Sequence, residues 1–146
     1  MATATQVRPD LGLDPAKMPD LSDPATQKRL SPAAIKAFFS IAERWNLRDA
    51  DAMALLGGVP SSTYYELKKK QARTLSQDEL TRTSLLIGIF KALNILFSPK
   101  LANQWISRPN SNLMFGDAPP LKLLIQGGVP CMLGVRRFLD SRRGGR

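Results

Sequence analysis

The chain has no histidine and only one cysteine, Cys131, among its 146 residues. Without histidine it lacks the usual general base for a serine or cysteine nucleophile and a common zinc ligand. One cysteine completes neither a zinc ribbon nor an internal disulfide, and a small buried hydrophobic residue is a better interpretation of Cys131 than a nucleophile. We therefore expect a protein that is not an enzyme and that needs neither a metal nor a cofactor.

The sequence also lacks alternating strand patterns, internal repeats and a long apolar run. Its most apolar stretch, residues 85–97, is shorter than the roughly 20 residues of a transmembrane helix, and Lys91 and Asn94 interrupt it. Residues 1–30 contain no continuous apolar segment of the kind found in secretory signals. These absences predict an all-α protein that is cytoplasmic and has no membrane partner.

Positive charge is the main excess in the composition. The chain has 21 Lys+Arg against 12 Asp+Glu, a net charge of +9, and 43% hydrophobic residues supply enough apolar material for a core. Most of the excess falls in residues 31–75 and 111–146, with an apolar region between them. Such charge favours a nucleic acid or an acidic protein as partner, and a solvated basic face without a partner is the alternative.

The N-terminal half predicts an arm followed by a small helical domain. Residues 1–30 are rich in proline and show little periodicity, which indicates an extended or partly ordered arm. Ser31 suits the N-cap and Pro32 the first position of a helix predicted over 32–45. The domain that begins there is predicted to cover residues 31–75.

A helix-turn-helix is predicted within this domain. Helices over about 48–56 and 61–69 flank a turn at Gly57-Gly58, and Ser61 or Ser62 can cap the second helix. The small residue Ala54, the turn glycine and the inward Tyr64 follow the spacing of such a motif. An ordinary helical hairpin with a solvated lysine run is the alternative.

The outward side chains of the second helix suit a DNA groove. Polar residues lie at its N-terminal half, where a recognition helix meets base edges, and basic residues at its end can contact phosphates. The residues predicted to bind DNA are Ser61, Ser62, Thr63, Tyr65, Lys68, Lys69, Lys70 and Arg73. Without Arg, Asn or Gln at the tip, the prediction of base-specific contacts is weaker.

The C-terminal half, residues 76–146, predicts several further helices. Ser76 and Glu79 form a capping box that starts a long helix ending near Phe97, predicted to be a central core helix and also the contact of a homodimer. Short helices are predicted over 99–105 and 121–126, the latter stopped by Gly127-Gly128. Pro130 can begin the last helix.

The pattern from Trp105 onward is long and specific. The residues that carry it are Trp105, Pro109, Asn110, Phe115, Gly116, Pro120, Leu121, Leu124, Gly127, Gly128, Val135, Arg136, Leu139, Asp140, Arg143, Gly144 and Gly145. With these residues the chain resembles, over roughly 31–146, the Xre/MbcA/ParS antitoxins that partner RES-domain toxins. The resemblance implies a type II toxin–antitoxin module whose antitoxin is all-α, dimerises, represses its operon through the N-terminal domain and binds its toxin through the C-terminal one.

The resemblance implies that the toxin is similar to ADP-ribosyltransferases and depletes cellular NAD, and the residues themselves give a hypothesis for how it is neutralised. A toxin that cleaves this cofactor is expected to place a carboxylate near the pyrophosphate site, so Arg142, Arg143 and Arg146 could occupy that pocket and block substrate. The residues predicted to bind toxin are Trp105, Phe115, Leu121, Arg136, Phe138, Arg142, Arg143 and Arg146. For the aromatic residues core packing is the alternative, and for the terminal arginines a solubilising basic tail.

Two other functions fit the same sequence. One is a stand-alone helix-turn-helix regulator whose C-terminal region only dimerises or senses a ligand. The other is a protein-interaction adaptor with a degenerate helix-turn-helix, which predicts no salt-dependent operator binding. An adjacent gene that encodes a small RES-type protein would favour the antitoxin over both.

Overall fold

The structure, a computed structural model, describes residues 19–144 of the chain. They form six α-helices and no strand, which confirms the all-α prediction. The helices are α1 (Pro24–Arg44), α2 (Asp49–Leu55), α3 (Ser61–Lys70), α4 (Gln77–Leu96), α5 (Pro99–Trp105) and α6 (Pro120–Arg143). Over the described range, none of them combines the length and the apolarity needed to cross a membrane.

The first helix begins earlier than its sequence predicts. Asp23 is the N-cap and accepts a hydrogen bond from the Thr26 N–H at 3.0 Å, and Pro24 occupies the first helical turn. The predicted start at Ser31 and Pro32 is therefore wrong, and Pro32 lies inside α1. The end of the predicted arm is helical, whereas its first eighteen residues lie outside the described range.

Ser31 has a different role from the predicted cap. It is 2% exposed, and its hydroxyl donates to the Gln27 carbonyl at 2.6 Å and accepts from the Leu75 N–H at 2.7 Å. Leu75 belongs to the loop between α3 and α4. The hydroxyl therefore joins the first helix to that loop and satisfies a buried backbone donor.

The helix-turn-helix prediction matches the backbone of α2 and α3. The turn between them contains Gly57 and Gly58, whose φ angles of 103° and 82° are accessible to glycine at little cost. The predicted serine cap of α3 is wrong, because Pro60 is the N-cap residue and no side chain caps the helix. Tyr64 and Leu67 face the core, as the motif predicts.

Helix α4 lies at the centre of the fold, as predicted. Its capping box is present: Ser76 accepts from the Glu79 N–H, and the Glu79 carboxylate accepts from the Ser76 N–H. The helix packs against α1, α5 and α6, and Leu86, Ile89 and Leu93 are at most 1% exposed.

The outward face of α4 is mainly polar. Ser84, Lys91 and Asn94 are exposed along it, and the exposed apolar residue Ile95 comes only near its C-terminal end. The homodimer predicted through residues 76–97 remains a prediction, and this polar face gives it little apolar surface to bury.

Helix α6 is bent where the sequence predicts a break. Gly128 has φ 64° and ψ −146°, so a short segment before it and a long segment after it have different axes. Beyond the bend α6 packs closely on α4: a Cβ on Gly88 would clash with the guanidinium of Arg136. The Arg82 side chain on α4 lies near both Gly57 and Gly128.

We expect Ser31→Ala to destabilise the fold by about 1–3 kcal/mol, because the Leu75 N–H would remain buried without an acceptor. Urea unfolding followed by circular dichroism measures this change. Ser40→Ala, at an exposed position of the same helix, is the control and should change the free energy of unfolding by less than about 0.5 kcal/mol. Equal effects of the two substitutions would show that the Ser31 bond contributes nothing.

Candidate functional site

The predicted DNA-binding residues lie on α3 and in the loop that follows it. Thr63 is half-buried, and the other seven are exposed. Three successive lysines occupy the last turn of α3, where cations also interact favourably with the helix dipole. The result is a basic, polar surface on the second helix of the helix-turn-helix.

A carboxylate from α2, which the sequence did not single out, organises this surface. Asp49 accepts hydrogen bonds from the Tyr64 hydroxyl at 3.0 Å, the Tyr65 hydroxyl at 3.0 Å and the Lys68 ammonium at 3.1 Å. The bonds from Lys68 and the tyrosines hold the pKa of Asp49 below its usual range. Two predicted DNA contacts, Tyr65 and Lys68, are therefore already bonded to an acidic group.

The same cluster keeps both tyrosines protonated. Burial and the bond to Asp49 raise the pKa of Tyr64, and the bond to Asp49 raises the pKa of the exposed Tyr65. Their rings also meet edge to face, with centroids 5.2 Å apart. The helix pair is thus fixed by polar bonds on its outer side as well as by its apolar core.

The lysines of α3 differ in their partners. Lys70 forms an exposed ion pair with Glu66 at 3.4 Å, and Lys68 is paired with Asp49. Lys69 has no carboxylate within ion-pair distance in the described part of the chain. Of the three lysines, Lys69 therefore has the ammonium group most available to a phosphate.

Arg73 forms an ion pair within the fold. Its two terminal nitrogens donate to the two oxygens of Glu79 at 3.1 and 2.9 Å, and Glu79 also accepts from the Ser76 N–H at 2.9 Å. Burial raises the pKa of Glu79, but Arg73 and the Ser76 N–H outweigh it, so the pKa lies below its usual range. The pair fixes the α3–α4 loop to the start of α4, which favours a structural role for Arg73.

The aromatic residues predicted to bind toxin form a continuous cluster. Phe115 meets Trp105 and Phe138 edge to face, with centroids 5.6 and 5.8 Å apart. Phe115 is only 6% exposed and belongs to the core, whereas Trp105, Phe138 and Leu121 are half-buried at its border. The three border residues are the ones that retain surface for a partner.

The arginines predicted to bind toxin differ in the contacts that hold their side chains. Arg136 and Arg143 both donate to Asp140, at 3.1 and 3.3 Å. Arg142 lies over the Phe138 ring, with its guanidinium carbon 4.8 Å from the ring centroid. Arg146 lies outside the described residues.

An exposed apolar surface near α5 was missed from the sequence. Phe97 and Leu101 are 36% and 46% exposed. A groove of about 160 Å³ lies beside them, and its lining residues are Phe97, Leu101, Trp105, Arg108, Pro109 and Asn110. The helical pattern of residues 98–105 gives no sign that this side lacks a covering element, and only the arrangement of α4 and α5 shows it.

Metal-ligating side chains do not converge anywhere between residues 19 and 144: no three of His, Cys, Asp and Glu come together there. Cys131 is half-buried rather than fully buried, and its sulfur lies where a Cβ on Gly127 would be. The close approach of helix backbone and cysteine side chain requires glycine at that position.

Comparison with known proteins covers both halves of the chain. Residues 24–88 match the family described as the antitoxin Xre-like helix-turn-helix domain. The chain is also similar to the uncharacterized protein y4oB of Sinorhizobium fredii, with 41% identity over 125 residues that cover 85% of this chain and 95% of that protein. This similarity extends well beyond the helix-turn-helix.

We expect Glu79→Gln to weaken the acid dependence of stability. The ordinary pKa of a glutamate is about 4.3, and that of Glu79 is lower in the folded chain. The contribution of the Glu79 carboxylate to folding stability is therefore present at neutral pH. It is lost as the pH falls below about 4.3 and through the pKa of Glu79 in the folded chain.

At pH 7 the substitution should cost about 1–3 kcal/mol, because the Arg73 guanidinium loses a charged acceptor. Urea unfolding between pH 7 and 3 measures both effects. Glu66→Gln is the control, because its pair with Lys70 is exposed and contributes little. An unchanged acid dependence in Glu79→Gln would contradict the prediction.

Proposed function

We propose that the chain, whose residues 24–88 match the antitoxin Xre-like helix-turn-helix domain, is the antitoxin of a type II toxin–antitoxin module. It neutralises a RES-domain toxin that degrades NAD, by blocking the active site, and it represses its own operon by binding DNA. The observation that carries the proposal is the match of residues 24–88 to the antitoxin helix-turn-helix domain, joined to a second half with the residue pattern of RES-toxin partners. The antitoxin itself catalyses no reaction.

The DNA-binding half of the proposal is supported by the surface of α3. Ser61 and Ser62 are exposed at the start of the helix, and the lysines are exposed at its end. This order suits a helix whose N-terminal residues approach base edges while its C-terminal cations contact phosphates. The bonds from Asp49 fix the angle between α2 and α3.

The toxin-binding half is supported by the end of α6 and by the aromatic cluster beneath it. Arg142 projects from the last turn over Phe138, and Arg143 and Asp140 complete the turn. An arginine close to an apolar anchor can place a planar cation against the carboxylate that an NAD-cleaving active site carries near its pyrophosphate pocket. Homodimerisation through residues 76–97 is part of the proposal, and the inhibitory mechanism does not depend on it.

Co-expression with the product of the adjacent gene tests the proposed function. We expect this product to deplete NAD and stop growth when expressed alone, and the antitoxin to restore both and to co-purify with it. Rescue without co-purification would contradict direct neutralisation. If no toxic partner exists while operator binding is retained, the stand-alone regulator is the better description.

Operator binding should depend more on Lys69 than on its neighbours. We expect Lys69→Ala to lower the affinity for operator DNA and for other DNA sequences alike. It should also reduce the slope of log affinity against log salt concentration by about 1, because one phosphate contact is lost. Lys68→Ala should have a smaller effect, because Asp49 already neutralises that ammonium. Fluorescence anisotropy over a range of salt concentrations measures both.

Lys91→Ala, on the exposed face of α4, is the matched control and should leave operator affinity unchanged. A loss in this control equal to that in Lys69→Ala would indicate nonspecific attraction by net charge. An unchanged salt slope in Lys69→Ala would exclude the proposed phosphate contact.

Truncation after Asp140 separates binding from inhibition. We expect the shortened chain to bind the toxin but to leave cellular NAD depleted, because Arg142 and Arg143 are removed. Co-purification and NAD measurement after toxin induction give the two readouts. Full protection by the truncated chain would show that the terminal arginines do not block the active site.

A further inference from the structure

A cationic cleft lies beside α5, next to the apolar groove, with which it shares Arg108. Its volume is about 500 Å³, and its lining residues are Arg44, Trp45, Asn46, Lys100, Asn103, Gln104, Ser107 and Arg108. Three of these residues carry positive charge, and none is acidic. None of the three cations has an ion-pair partner within the described residues.

Residues of the cleft also carry buried polar atoms without hydrogen-bond partners. They are the indole Nε1 of Trp45, which is 2% exposed as a residue, and the side-chain oxygens of Asn103 and Gln104. Unsatisfied buried polar atoms are rare and costly in folded proteins. Three of them lie at one cleft, where a polar ligand would complete their bonds.

The mixture of unsatisfied groups distinguishes between classes of ligand. The indole N–H needs an acceptor, whereas the two amide oxygens need donors. A phosphodiester backbone offers acceptors but no N–H donors, and a polypeptide backbone offers both. The adjoining apolar groove, which a polypeptide side chain can fill and a phosphodiester backbone cannot, favours a polypeptide over a nucleic acid.

The cleft and the apolar groove form one surface around α5. Lys100, Asn103 and Ser107 face the cleft, while Leu101 and Trp105 face the groove, as their helical spacing requires. Arg108 lines both. A segment lying across α5 would meet positive charge on one side and an apolar slot on the other.

We propose that this α5 surface binds an acidic polypeptide segment with an apolar side chain, presented by the toxin. The carboxylates pair with Lys100 and Arg108, the apolar side chain enters the groove, and the Asn103 and Gln104 amides rotate toward the segment's backbone N–H groups. The assignment of the segment to the toxin rests on the proposed function. The surface does not include the terminal arginines, and it gives affinity rather than inhibition.

A peptide titration tests the surface without the toxin. The probe is a short synthetic peptide that alternates glutamate with leucine, added to the ¹⁵N-labelled full chain. The chain has two tryptophans, one at each cavity, and Trp105→Phe assigns their indole N–H signals. We expect both signals to shift with the acidic peptide and much less with a glutamine-for-glutamate version.

Several outcomes of this titration would overturn the proposal. Unmoved indole signals would show that no such segment binds. Equal shifts with random duplex DNA would assign the cleft to nucleic acid, and a shift of the Trp45 signal with inorganic phosphate as large as that with peptide would assign it to a small anion.

A binding assay with a catalytically inactive form of the adjacent gene product tests the assigned partner. We expect Lys100→Glu combined with Arg108→Glu to weaken this binding about tenfold or more, since charge reversal opposes the acidic segment. Operator affinity should be unaffected. Lys28→Glu combined with Lys36→Glu, at exposed positions of α1, is the matched control with the same change in net charge.

The two proposals fail in distinguishable ways. If the wild-type chain binds the gene product and the double variant binds equally well, the α5 proposal is wrong and the proposed function stands. If the wild-type chain does not bind the gene product, the proposed function and the assignment to the toxin both fail, and the peptide titration still decides whether the surface accepts an acidic segment.

Discussion

Burial of α4 between α1, α5 and α6 is the constraint on which the rest of the structure depends. Leu86, Ile89 and Leu93 supply an almost solvent-free centre, and burial of apolar area is the largest favourable contribution to such a fold. The same helix begins at the loop that anchors Ser31 and ends at the exposed surface beside α5. Both candidate surfaces are therefore positioned by one element.

The few acidic residues of this basic chain are placed where they orient cations. Asp49 holds Lys68, Glu79 holds Arg73, and Asp140 holds two arginines of the last helix. These pairs set the geometry of the helix-turn-helix, of the loop before α4 and of the C-terminal turn. Lys69, Lys100 and Arg108 have no such partner among the described residues, and they lie on the surfaces that we assign to binding.

The sequence predicts well those features that neighbouring residues determine. Ser76 and Glu79 define a helix start within one turn, and Gly128 breaks α6 because of its own backbone conformation. It predicts poorly what depends on distant residues. The Ser31 hydroxyl satisfies a backbone group 44 positions away, and this bond, unlike a cap, leaves no local signature.

The candidate sites show the same division. The exposed positions of α3 follow from helical periodicity, but the bonds that Asp49 makes join positions 15 to 19 residues apart. Phe115 is an aromatic residue of the kind found at interfaces, and only the packing of α5 and α6 around it shows that it belongs to the core. The Arg82 side chain, which borders both Gly57 and Gly128, means that the helix-turn-helix and the bent helix fit each other at a shared junction. Hybrids that combine halves of two relatives would need matched residues there, so new partner specificity is more readily reached by substitution on exposed surfaces than by exchange of halves.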